Sequence, residues 1–70
     1  MGPEFQFVFE VTLENVNTAI KVKRYYAEFG EDSDQAWRKV FERVFKEELG
    51  EDSPLILDKM VFLGRLEANN

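Results

Sequence analysis

The segment FQFVFEVTL (5–13) alternates strictly along its length. Phe5, Phe7, Phe9, Val11 and Leu13 share one parity, and Gln6, Val8, Glu10 and Thr12 share the other. A period of two in β-favouring residues predicts a strand, and five large apolar groups on one face require a cover. ENVN (14–17) has turn chemistry, because Asn tolerates left-handed conformations. A second strand is therefore expected from about Thr18 to Phe29, completing a hairpin. Its pattern changes phase: Ile20 and Val22 share one parity, whereas Tyr25, Ala27 and Phe29 share the other. A β-bulge near Lys23–Arg24 would restore a single apolar face. Without one, Ile20, Val22 and Tyr26 point inward while Tyr25 and Phe29 point outward, and the pattern leaves both readings open.

EDSDQAWRKVFERVFKEELG (31–50) carries the helical period. Trp37, Val40, Phe41, Val44, Phe45 and Glu48 recur at 3.6-residue spacing, with Leu49 closing the stripe. Asp32 or Ser33 can cap the N-terminus, acids sit in the first turn, and Gly50 stands where a left-handed C-terminal residue belongs. The opposite face sets Arg38–Glu42, Glu42–Lys46 and Arg43–Glu47 at i, i+4. A helix of about 16 residues spans roughly 24 Å, enough to cross a small sheet.

DSPLILDKMVFLGRLEANN fits a helix poorly, because its apolar residues form no clean stripe and Gly64 interrupts them. Ser53–Pro54 could nonetheless open a helix. The favoured reading is a turn or short helical loop at 53–57 followed by a strand at 58–66. Met60, Phe62 and Leu66 would then lie on one face, and Val61 and Leu63 on the other. With both faces apolar, this strand is either covered twice or carries an exposed patch.

The element order β–β–α–β predicts a small α+β domain. A right-handed crossover would carry the helix from the second strand to the third, placed beside the first. Strand order 2-1-3 makes the phenylalanine-rich strand central, with the helix on its apolar face. The opposite sheet face, holding Val8, Thr12, Val61, Leu63 and, in one phase, Tyr25, then has nothing to cover it. One domain over 5–67 is expected, with MGPE (1–4) a flexible leader and 68–70 a tail. The GPEF run is open to reading as a cloning remnant.

Composition narrows the chemistry. Seventy residues bury only a small core, and the absence of Cys and His removes disulfides and thiolate or imidazole zinc sites. The same absence removes the usual general base and the thiol nucleophile. Ser33 and Ser53 read as caps, the acidic pairs lack the burial that would split two pKa values, and the four glycines are isolated. No enzyme activity, metal or cofactor is expected. No secretory signal or 18-residue uncharged apolar run is present in the sequence, so a soluble cytoplasmic protein is expected, with no membrane partner.

A net charge of −5 disfavours general nucleic-acid affinity, yet KVKRYY (21–26) interleaves cations with tyrosines. The favoured reading is protection of an edge strand by charge. The alternatives are a protein-binding surface, or a single-stranded nucleic-acid platform built from Lys21, Lys23, Arg24, Tyr25 and Tyr26. The helix aromatics read as core. Acids near the helix C-terminus, Glu47, Glu51 and Asp52, oppose the helix dipole and hint at a basic partner. The expected function is a non-enzymatic acidic protein–protein interaction module, a small regulator or inhibitor. It would dock through Val61, Leu63 and Tyr25 on the open sheet face, or through the acidic helix end. A homodimer through the third strand or that same face is a further expectation. The element order also occurs in unrelated domains, ribosome-associated proteins and virus-encoded inhibitors among them, an analogy of architecture that says little about activity.

Overall fold

β1 (Phe5–Asn15), β2 (Lys21–Gly30), α1 (Ser33–Glu47) and β3 (Leu55–Leu66) follow one another in the computed structural model, which describes residues 4–66. The strands form one antiparallel sheet in the order β2-β1-β3, an α+β architecture with the phenylalanine-rich strand at its centre. Apart from Glu4, the leader expected at 1–4 lies outside the described residues, as does the tail expected at 68–70.

Residues opposite each other in an antiparallel pair point to the same face, so the register assigns every side chain. Phe7, Phe9, Val11 and Leu13 of β1 are buried together with Tyr26, Ala36, Val40 and Val44. β2 runs unbroken against β1, pairing Phe9 with Tyr26 and Leu13 with Val22. The change of phase in β2 is therefore not absorbed by a bulge. Val22 and Tyr26 face the helix, while Tyr25 and Phe29 face away. Ile20 precedes the strand and is exposed, because the hairpin loop extends further than its asparagines suggest. Asn15 organises that loop: its Oδ1 accepts from the Asn17 and Thr18 amides, and Ala19 takes a left-handed φ of 61°.

Asp32 is the N-cap of α1, accepting from the Gln35 amide at 2.9 Å, while Gln35 Oε1 accepts from the Glu31 amide at 2.7 Å. These bonds satisfy amides that a helix start leaves open. Gly30 permits the close junction with β2, since a Cβ there would lie 3.0 Å from the Ala36 nitrogen. The helix ends earlier than expected, with Glu48 as C-cap. Among the described residues the only left-handed glycine is Gly64, so Gly50 does not have the expected C-terminal role. Of the three expected i, i+4 pairs, Arg43–Glu47 forms at 3.2 Å.

The buried stripe of α1 is Ala36, Val40 and Val44, narrower than expected. Trp37 and Phe45, read from sequence as core, are 41% and 53% exposed. A helix about 10 Å across covers roughly two strands spaced about 4.8 Å apart, and α1 packs on β2 and β1. β3 is a strand from Leu55, three residues earlier than expected, which resolves 55–57 as strand. Its pairing with β1 breaks twice, between Val8 and Phe9 and between Thr12 and Leu13. The extra residues are Leu63 and Asp58. Gly64, at φ 153°, follows the first of them in a conformation that favours glycine. That break moves Leu66 off the face of Met60 and Phe62, where simple alternation placed it, onto the opposite face across from Gln6.

Thr12, on the central strand β1, is 3% exposed, and its Oγ1 has no hydrogen-bond partner among the described residues. A buried hydroxyl without a partner is destabilising. Thr12→Val, similar in shape and without the hydroxyl, is expected to raise unfolding stability in urea by about 1 kcal/mol. A loss of stability would mean that the hydroxyl is satisfied.

Candidate functional site

The sheet face away from α1 is built from five rungs across the strands. Read from β2 through β1 to β3 they are Phe29–Gln6–Leu66, Ala27–Val8–Gly64, Tyr25–Glu10–Val61, Lys23–Thr12–Lys59 and Lys21–Glu14–Ile56. No element of the described residues covers this face. It divides along its length. Phe29, Val8, Leu66 and Val61 make one half apolar, and Leu63 joins Val8 and Leu66 around a shallow depression there. Lysines and glutamates make the other half charged.

The expected partner-binding residues fall into two groups. Tyr25 and Val61 flank Glu10 on one rung of the open face, and Leu63 lies beyond them at the bulge. Tyr25 is 63% exposed, and its hydroxyl donates to Glu10 Oε2 at 3.1 Å. That hydrogen bond first, and the Glu10 charge second, raise its pKa above the ordinary tyrosine value. Glu47, Glu51 and Asp52 sit elsewhere, at and beyond the C-terminal end of α1 on the other side of the sheet. Glu47 is occupied by Arg43 and Tyr26, whereas Glu51 and Asp52 are exposed in the turn that follows.

The basic-aromatic set does not assemble into one surface. Lys21, Lys23 and Tyr25 lie on the open face, but Arg24 and Tyr26 lie on the helix side. Each cation meets a carboxylate: Lys21 with Asp58 at 3.4 Å, Lys23 with Glu10 at 3.8 Å and Arg24 with Glu48 at 3.1 Å. Tyr26 is buried rather than available for stacking, and the Arg43 guanidinium stands 4.9 Å above its ring. Its hydroxyl donates to Glu47 Oε1 at 3.4 Å. Burial chiefly, then the charges of Glu47 and Glu48, raise the Tyr26 pKa.

A second apolar surface was not anticipated as such. Lys39 donates to the Phe29 carbonyl, and Arg43 reaches Glu28 and the Ala27 carbonyl, so this flank of α1 faces edge strand β2. The row Trp37–Phe41–Phe45 lies on the other flank, toward the side of β3. Its rings follow one another at 5.3 and 5.2 Å. Below, the helix-side face of β3 presents Leu55, Leu57, Met60 and Phe62, and the Phe62 ring packs on Phe7 and Phe9 while about half exposed. The signal was present in the sequence: an apolar arc running from Ala36 to Phe45 is wider than one helix can bury on a sheet.

Among the described residues no cluster of Asp and Glu could hold a metal ion, and no helix is long and apolar enough to cross a membrane. Comparison with protein-family models, curated proteins and solved structures finds no match, so the site is read from its own geometry.

The two tyrosines should titrate above pH 10.0. A folded-state pKa raised above the unfolded value contributes stability that is fully present below about pH 10 and lost as pH rises through the folded value. Urea midpoints measured from neutral into alkaline solution should therefore fall more steeply for the wild type than for Tyr26→Phe. Parallel curves would contradict the environment described for Tyr26.

Proposed function

We propose that this protein is a non-enzymatic interaction module that binds another protein through the apolar half of its open sheet face. The observation that carries the reading is the uncovered cluster of Phe29, Val8, Val61, Leu63 and Leu66 beside Tyr25, with Leu63 52% exposed. Exposed apolar side chains grouped on one face, with charge alongside, are what a partner surface requires. Tyr25, anchored by Glu10, offers a large rigid contact with a polar tip. The exposed Glu51 and Asp52, at the far end of the molecule, favour a partner with some basic surface. Such a module acts as a regulator or inhibitor by occupying a surface rather than by chemistry. Its lack of cysteine suits the reducing cytoplasm.

Immobilised wild type and Leu63→Asp or Val61→Asp variants test the reading by affinity capture, with circular dichroism as the check on folding. Both positions are exposed, so the variants should fold while capturing at least about tenfold less partner, since the loss of a central apolar contact exceeds about 1.4 kcal/mol. Equal capture by wild type and variants would exclude this face. Micromolar binding of a mixed-sequence single-stranded oligonucleotide that weakens steeply with salt would instead favour the open-face residues Lys21, Lys23 and Tyr25 as the site.

A further inference from the structure

β3 is an edge strand of a different kind from β2. The outer edge of β2 is guarded by Lys21, Lys23 and Arg24, whereas β3 carries apolar side chains on both faces over most of its length. Long apolar edges invite pairing with another strand. The segment LILDKMVF (55–62) is also a palindrome in chemistry: three apolar residues, an acid, a base, three apolar residues.

We propose that β3 pairs antiparallel with β3 of a second copy of this chain, about a two-fold axis passing between Asp58 and Lys59. The sheet becomes six-stranded and continuous. In that register Leu55 faces the other copy's Phe62, Ile56 faces Val61, Leu57 faces Met60, and Asp58 faces Lys59, each pair occurring twice.

Facial parity supports this register. Opposed residues must point to the same face, and residues such as 57 and 60 have opposite parity in a regular strand. The break in register at Asp58 removes the conflict. Against β1, Leu55, Leu57, Met60 and Phe62 all lie opposite helix-side residues, while Ile56, Lys59 and Val61 all lie opposite open-face residues. Asp58 reaches Lys21 of the open face at 3.4 Å, so it belongs on the Lys59 side. Every apolar residue thus meets an apolar residue on its own face, and every acid meets a base. Both helices then stand on one side of the joined sheet, with the Trp37–Phe41–Phe45 row of each copy turned toward the shared β3 floor. This pairing does not depend on what docks on the open face.

Sedimentation equilibrium from about 1 to about 200 µM tests it. Wild type is expected to dimerise. Lys59→Asp, which breaks no ion pair described within the chain, sets Asp58 against an acid twice and should weaken the dimer about tenfold. Adding Asp58→Lys to Lys59→Asp reverses both charges at the axis, with loss of the exposed Lys21–Asp58 pair within each copy, an interaction of little weight. It should restore dimerisation to within about threefold of wild type, with circular dichroism confirming the fold of each variant. Monomer at every concentration, a dimer indifferent to Lys59→Asp, or no recovery in the double variant would each overturn the proposal. Failure of the open-face reading is a separate result: Leu63 lies outside the paired segment, so its variant alters partner capture while leaving sedimentation unchanged.

Discussion

The contact between the odd-numbered side chains of β1 and Ala36, Val40 and Val44 of α1 is the one on which everything else in the molecule depends. Among the described residues one helix serves a sheet of three strands. Phe9, Val11 and Leu13 are fully enclosed beneath that helix and between their neighbours on β2 and β3. Arg43 and Lys39 then tie the outer flank of α1 to β2, through Glu28 and two carbonyls, and so draw the helix toward that edge. Cover gained over β2 is cover lost over β3. Three consequences follow together: half-exposed rings on Trp37, Phe45 and Phe62, an apolar strand at the unguarded edge, and a sheet face that no described element covers.

These surfaces differ in kind, and their separation bears on function. The apolar half of the open face lies at the helix N-terminal end of the sheet, where Phe29 and Leu66 flank Gln6. Glu51 and Asp52 lie beyond the other end of α1. Between them the cations of β2 are neutralised one by one by Asp58, Glu10 and Glu48. Exposed pairs of this sort add little stability. Their effect is to leave the charged half of the sheet without excess positive field, which suits edge protection better than recognition of a polyanion.

Much of the fold was legible in the sequence, and the failures have physical causes. Strict alternation in β1 leaves one solution, and a run with helical period between Asp32 and Leu49 leaves one helix, so strand order 2-1-3 followed. The phase of β2 was undecidable because both parities carry apolar groups; pairing with β1 selected Val22 and Tyr26 as inward. Bulges depend on register with a partner strand, so those at Asp58 and Leu63 were hidden, and Leu66 was assigned to the wrong face. Trp37 and Phe45 were read as core because period reports which side of a helix is apolar, not how much of it the sheet can reach. For the candidate site, Val61 and Leu63 were legible as open-face residues once the central strand was identified, but the outward direction of Tyr25 was not. That Tyr26 and Arg24 point to the helix was not either, since it rests on the same undecided phase.

Residue-resolved amide hydrogen exchange along β3, at a dilute and a concentrated condition, tests most directly whether this strand is held from one side alone. Protection follows the stability of the hydrogen-bonded neighbour. The expected result is slow exchange throughout β1 at both concentrations. In β3, amides directed away from β1 should exchange fast in dilute solution and slow on concentration, while those directed toward β1 stay protected. Uniform protection along β3 at the dilute condition, or outward amides equally fast at both, would contradict the view that its free edge is completed by a second strand.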